Sequence, residues 1–214
     1  MASKPKVGGE KDPDLEAIRA LAPDLVIANI EENRREDVER LRAWGIPVYV
    51  TYPRTVWEGI QLVRQLGEVT GRLEAAEPLA LDLERRYRET VERTGARARL
   101  RVFCPIWRRP YMAINRDTYV HDMLALAGGA NVFADRPERY PTVTLDEVAA
   151  ERPEVILLPD EPYRFRKAHL TDFEPYPEIP AVRDGRIHLV DGKLLCWYGP
   201  RIGEALEALP PLFA

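Results

Sequence analysis

The sequence predicts an α/β protein made of two similar lobes with parallel sheets, separated by a long helical segment. Three observations carry this. First, Leu15-Glu16-Ala17-Ile18 leads into Pro23-Asp24-Leu25-Val26-Ile27, and 130 positions later Leu145-Asp146-Glu147-Val148 leads into Pro153-Glu154-Val155-Ile156-Leu157. Each copy reads as a short helix with an acid near its start, a proline that stops it, and an apolar β-branched run typical of a buried parallel strand. Second, a full strand, loop and helix precede the second copy, with a strand at 100–104 and a helix at 119–127 ending on Gly128-Gly129. Third, the stretch between the copies is helical over some forty residues.

Taken in order, residues 25–29 and 48–52 form the strands of the first lobe, with a helix at 35–43 crossing between them and stopped by Gly45; a β-α-β order implies parallel pairing. A helix begins near Thr55 with Trp57, Ile60, Val63, Leu66 and Val69 on one face and pauses at Thr70-Gly71. It resumes from Arg72 to about Arg93 with a packing stripe of Leu73, Leu79, Leu83, Tyr87 and Val91, and Pro78 either opens a new helix there or kinks it. The boundaries are therefore a first lobe at 1–54, a stiff linking segment at 55–95 and a second lobe at 96–214.

Only thirteen residues, polar and rich in Gly, Lys and Pro, precede the first copy. Either the first lobe is naturally minimal or the chain starts late; the second is favoured, and the first lobe is then expected to be incomplete, with a small sheet and an open edge that invites a homodimer or an exchange of elements.

Net charge is −4, with 31 Lys and Arg against 35 Asp and Glu, which gives no reason to expect nucleic acid or an anionic membrane as partner. No stretch is apolar enough to span a bilayer, and the start lacks a secretory signal, so the chain as written reads as cytoplasmic unless its start has been trimmed. Two cysteines, Cys104 and Cys196, lack zinc spacing; both fall at strand ends of the second lobe, so core thiols and a bridge both stay open. His121, His169 and His188 share no metal-ligand spacing, though His121 or His169 could serve as an axial ligand to a metal in a guest. There is no GxGxxG after a strand, no GxxxxGK[ST] and no GxSxG, which disfavours a nucleotide-binding α/β enzyme.

Aromatic and arginine residues gather at three successive strand ends: Cys104-Pro-Ile-Trp-Arg-Arg-Pro-Tyr111, Leu158-Pro-Asp-Glu-Pro-Tyr-Arg-Phe165 and Leu195-Cys-Trp-Tyr-Gly-Pro-Arg201. Loops at the carboxyl ends of parallel strands are where such proteins hold ligands. Trp107 and Trp197 are read as ligand contacts. Tyr119, Tyr163 and Tyr198 could equally seal an interface, and Trp44 and Trp57 as packing. Arg201, in the first turn of a helix, opposes the helix dipole and requires a compensating acid or anion.

Glu16 with Pro23-Asp-Leu-Val-Ile-Ala28, the linking helix, Ala113-Ile-Asn-Arg-Asp-Thr-Tyr119, Gly128-Gly-Ala-Asn-Val-Phe133 and Trp197-Tyr-Gly-Pro-Arg201 together resemble the ABC-transporter substrate-binding proteins with a helical backbone, receptors for cobalamin, ferric siderophores and haem, with the cobalamin-type branch nearest. The resemblance runs from about Val7 to the C-terminus and lacks the family's opening strand-helix-strand and its export signal. It implies two Rossmann-like lobes joined by one rigid helix, capture without chemistry, no permanent cofactor, cobalamin or another metal chelate as the carried ligand, a membrane permease as partner, and an extracytoplasmic location. It gives Glu16, and Asp146 or the adjacent Glu147, the role of permease-docking acids, although helix N-terminal acids are also favoured by the dipole. The expected ligand contacts are Trp107, Arg108, Tyr119, Tyr163 and Trp197 from the second lobe, with Asn29 and Glu31 from the first. The competing reading is a cytoplasmic remnant that binds a metal chelate or a protein partner without transport.

Overall fold

The duplicated sequence is duplicated local structure in the computed structural model, which describes residues 4–214. In the first copy, α1 (Leu15–Ala20) starts at Asp14, whose carboxylate accepts the Ala17 N–H at 2.9 Å, and leads to β1 (Val26–Asn29). The helix of the second copy, Leu145–Glu151, starts at Thr144 and leads to the strand Val155–Pro159. Both turns pass through a left-handed residue that is not glycine, Ala22 (φ 45°) and Arg152 (φ 48°), again 130 positions apart and each followed by proline. Proline fixes the extended exit from the turn, and the left-handed residue ends the helix.

The chain divides into two compact units, residues 1–52 and 53–214. In the smaller, β1 pairs in parallel with β2 (Val48–Thr51), in the register Val26 to Val48 through Asn29 to Thr51, and α2 (Arg35–Ala43) crosses between them, burying Val38 and Leu41. One helix layer covers little. Ile27 remains 48% exposed in a strand type usually covered on both faces.

The larger unit takes in the helical segment 55–95, which the sequence alone sets apart as a linker. That segment is two helices, α3 (Val56–Val69) and α4 (Leu73–Gly95), turning at Thr70-Gly71-Arg72 and packed on each other. Thr55 and Glu58 close a capping box at the start of α3. Helix α4 continues through Pro78; its 23 residues span about 34 Å at 1.5 Å per residue. Gly67 permits the close crossing near the turn, since a Cβ there would lie 2.5 Å from that of Ala76. Arg64 of α3 ties the pair together, with Nε 2.8 Å from Glu77 Oε2 and Nη1 donating to Glu84 Oε1.

The remaining elements are β3 (Leu100–Phe103), β4 (Tyr111–Met112), α5 (Tyr119–Ala127), β5 (Gly129–Asn131), β6 (Thr142–Val143), α6 (Leu145–Glu151), β7 (Val155–Pro159), α7 (Pro180–Arg183), β8 (Ile187–Val190), α8 (Lys193–Cys196) and α9 (Arg201–Ala208), with 3-10 turns at Lys167–Asp172 and Pro210–Phe213. The main sheet has the order β5-β3-β7-β8, all parallel. Central strand β7 is buried at every position. Alternation sends Val155 and Leu157 into one apolar cluster with α3, α4, α5 and α9, and Ile156 and Leu158 into another with Tyr111, Phe133, Phe165 and Phe173. No described helix is long and apolar enough to cross a membrane.

Candidate ligand-binding surface

Strand β3 ends at Phe103, Cys104 is buried in the first cluster, and the chain then makes a tight hairpin. Ile106 N–H donates to Met112 O at 2.9 Å and Met112 N–H to Trp107 O at 3.2 Å, which leaves Trp107 at the tip, 44% exposed. Its indole meets the Tyr163 ring edge-on at 5.5 Å between centroids, Tyr163 meets Phe165 at 4.8 Å, and Phe165 stacks on Tyr111 at 6.2 Å. The structure therefore brings Trp107 and Tyr163 together at the ends of β3 and β7, backed by a buried aromatic row. Edge-to-face rings at these separations stabilise one another by about 0.5–1.5 kcal/mol each and fix the planes.

Arg108 is engaged within the protein. Its guanidinium holds Asp172 in a bidentate grip, Nε to Oδ2 at 2.6 Å and Nη2 to Oδ1 at 2.8 Å, and the Tyr111 hydroxyl donates to the same carboxylate at 2.6 Å. Arg108 holds the Asp172 carboxyl below its usual range, while burial, then the Asp172 hydrogen bond, push the Tyr111 hydroxyl up. Arg108 is thus a brace between the Trp107 loop and the 3-10 turn rather than a ready ligand contact. His169 on that turn accepts the Arg166 N–H at Nδ1, 3.1 Å, which leaves the proton on Nε2; burial and then the Arg108 charge lower its pKa. In this tautomer neither ring nitrogen is a metal ligand. His121 is half-buried, its Nδ1 3.4 Å from Asn131 Nδ2, and no cluster of three or more metal-ligating side chains exists among the described residues.

Tyr119 does not reach the surface. It opens α5 facing inward, 4% exposed, with its ring edge-on to Tyr198 at 4.8 Å and next to Gly59 of α3, and its hydroxyl has no hydrogen-bond partner among the described residues. The inward face of α5 places Tyr119 with Met123, Val120, Leu124 and Ala127, so its expected role as a ligand contact is corrected to core packing. Trp197 follows α8, 48% exposed, flanked by Lys193 Nζ at 5.8 Å and Arg201 Cζ at 5.7 Å from its centroid. Arg201 finds the compensating acids its helix position requires, Glu204 at 3.2 Å and Asp191 at 3.9 Å.

In the smaller unit, Asn29 is engaged locally at both ends. Its Nδ2 donates to Thr51 Oγ1 at 3.1 Å and its Oδ1 accepts the Glu31 N–H at 2.8 Å, pinning the turn after β1. Glu31, half-buried, also accepts Lys11 Nζ at its backbone carbonyl.

The duplicated acids differ. Glu16 is exposed in the first turn of α1, and Asp146, exposed in the first turn of α6, accepts the Tyr176 hydroxyl at 2.8 Å. Glu147 instead closes the capping box with Thr144 and pairs with Arg136; the Thr144 N–H and then Arg136 hold its carboxyl down.

Asp172, Tyr111 and Phe165 were not legible as site residues. Asp172 lies 64 positions from Arg108, beyond any local pattern.

A family model described as periplasmic binding protein matches residues 1–194. The chain is 30% identical over 172 residues to a vitamin B12-binding protein of Pectobacterium carotovorum subsp. carotovorum (strain PC1), covering 79% of this chain and 62% of that relative. It is 23% identical over 202 residues to one of Vibrio cholerae, covering 94% and 72%. The chain thus spans less than two thirds of the Pectobacterium relative. Among solved structures, the periplasmic vitamin B12 binding protein BtuF of Vibrio cholerae superposes with a TM-score of 0.85 at 22% identity, over 97% of this chain and 80% of that one. The periplasmic heme-binding protein RhuT from Roseiflexus sp. RS-1 does so at 0.82 and 25%, over 98% and 82%.

Proposed function

Because the chain belongs to the periplasmic binding protein family, we propose that it is the substrate-capturing component of an ABC importer, acting in the periplasm on a metal chelate of the corrinoid type. The observation that carries this reading is the exposed indole of Trp107, fixed against Tyr163 at the carboxyl ends of two parallel strands, with a second exposed indole, Trp197, beyond the third. Rigid, flat apolar faces suit a macrocycle, and nothing in the set performs bond chemistry. The relatives named for vitamin B12 favour a corrinoid guest over other chelates.

The contact set proposed within the larger unit is Trp107, Tyr163 and Trp197. Arg108 positions the Trp107 loop. Glu16 and Asp146 are the permease-docking acids, being the exposed members of the repeat, whereas Glu147 is held by its cap. Self-association through the small sheet of residues 26–51 belongs to the same reading; sedimentation as a monomer at micromolar concentration removes it.

Titration with cyanocobalamin, followed by tryptophan emission corrected for its absorbance and by calorimetry, tests the central claim. Quenching that is lost in Trp107→Ala supports it. Absence of both heat and quenching at about 10–100 μM refutes a corrinoid guest, since a receptor binds in or below the micromolar range.

A further inference from the structure

Beside the aromatic set, within the larger unit, lies an open groove of about 740 Å3 at the ends of β7 and β8. Its apolar lining is Leu158, Phe165, Leu189 and Val190. Three cations also line it, Arg164, Arg166 and Lys193. Arg164 and Arg166 are exposed and form no ion pair among the described residues, in contrast to Arg108 in the adjoining loop.

Two carboxylates also line the groove, and both are engaged in shaping it. Asp160 Oδ1 accepts the Gly192 N–H at 2.9 Å, and Asp191 Oδ1 accepts the Lys193 N–H at 3.0 Å while its Oδ2 lies 3.9 Å from Arg201. Gly192 is required there, because a Cβ would lie 2.6 Å from the Glu161 carbonyl oxygen. These contacts set the turn from which Lys193 projects. The balance of the five charged side chains is one positive charge.

We propose that this groove binds an organic anion, a carboxylate carried on an apolar body. Guanidinium forks match a planar carboxylate, and the apolar side chains in the lining favour a guest with more than a bare anionic head. The site goes beyond the capture reading, since it needs neither exposed indole nor any residue of the smaller unit. Such an anion is either a side arm of a carboxylate-bearing macrocyclic chelate, for which haemin stands as probe because the arms of cobalamin are neutral amides, or a separate small molecule, and the two sources separate experimentally.

The test uses the full chain with octanoate as probe and octanamide as its uncharged match, read by calorimetry and by tryptophan emission, because Lys193 sits over Trp197. Saturable octanoate binding, absent for octanamide and weakened by salt, is expected, with affinity at least about tenfold lower in R164Q/R166Q. Both substituted side chains are exposed, and an unchanged circular dichroism spectrum verifies the fold. Equal binding of octanamide, an R164Q/R166Q variant that binds octanoate like the parent, or no octanoate signal overturns the proposal. Haemin and its dimethyl ester then locate the anion. A loss in R164Q/R166Q confined to haemin supports the side arm; haemin binding left intact while octanoate binding falls supports a separate site. If no chelate binds but octanoate does, the capture reading fails and the anion site stands.

Discussion

Asp172→Asn tests whether the Trp107 loop is held in place electrostatically. Arg108 and Asp172 have side chains only 12% and 19% exposed, joined by two hydrogen bonds with a third from Tyr111. Removing one partner from a buried pair costs about 3–5 kcal/mol because the other charge is stranded. Residual access of water to Asp172 brings this to about 2–4 kcal/mol. For a chain of this size about 3 kcal/mol lowers the melting temperature by roughly 6–12 °C. Thermal unfolding followed by circular dichroism gives the value, and Trp107 emission reports loosening of the loop. The double change Arg108→Met with Asp172→Leu removes both charges and is expected within about 1–2 kcal/mol of the parent, nearer than either single change. The sign with pH follows from the lowered Asp172 pKa. The folded chain binds its proton more weakly than the unfolded chain does, so the contribution is present above the unfolded carboxylate pKa and is lost as pH falls through the folded one. Asp172→Asn should therefore flatten the acid limb of the stability curve. Single variants within about 0.5 kcal/mol of the parent, or an unchanged acid limb, refute the reasoning.

Tyr119→Phe removes a buried hydroxyl that has no partner among the described residues, so stability in urea should stay level or rise by up to about 1 kcal/mol; a clear loss would overturn that reading. Gly67→Ala forces a methyl against Ala76, and the expected cost of about 1–3 kcal/mol exceeds the gain in helix propensity; a stabilised protein would show that α3 and α4 part freely. Glu147→Gln weakens the cap of α6 by about 1 kcal/mol at neutral pH, and the difference from the parent shrinks as pH falls through the lowered Glu147 pKa. Charge reversal at Glu16 and Asp146 leaves ligand affinity intact and abolishes uptake with a cognate permease; a fall in affinity instead assigns both acids to the binding site.

The repeat at 130 positions was legible because both its helices and strands are local patterns, down to the proline that ends each turn. The same held for β7, whose unbroken apolar run marks a strand covered on both faces. The break at Thr70-Gly71 was legible; the folding back of α3 on α4 was not, since it depends on Gly67 meeting Ala76 across the turn. Tyr119 was misread because α5 has aromatic, aliphatic and polar residues close together, and residue type alone does not fix its phase on the core. The Arg108 and Asp172 brace and the groove at Arg164, Arg166 and Lys193 join residues from separate loops, which only the sheet order brings together.

Successive side chains of β7 serve opposite sides of one partition. Substitutions within the Tyr111, Phe133, Phe165 and Phe173 cluster on one side are therefore buffered from the helices packed on the other, and that side has freedom to diversify without renegotiating the helical frame.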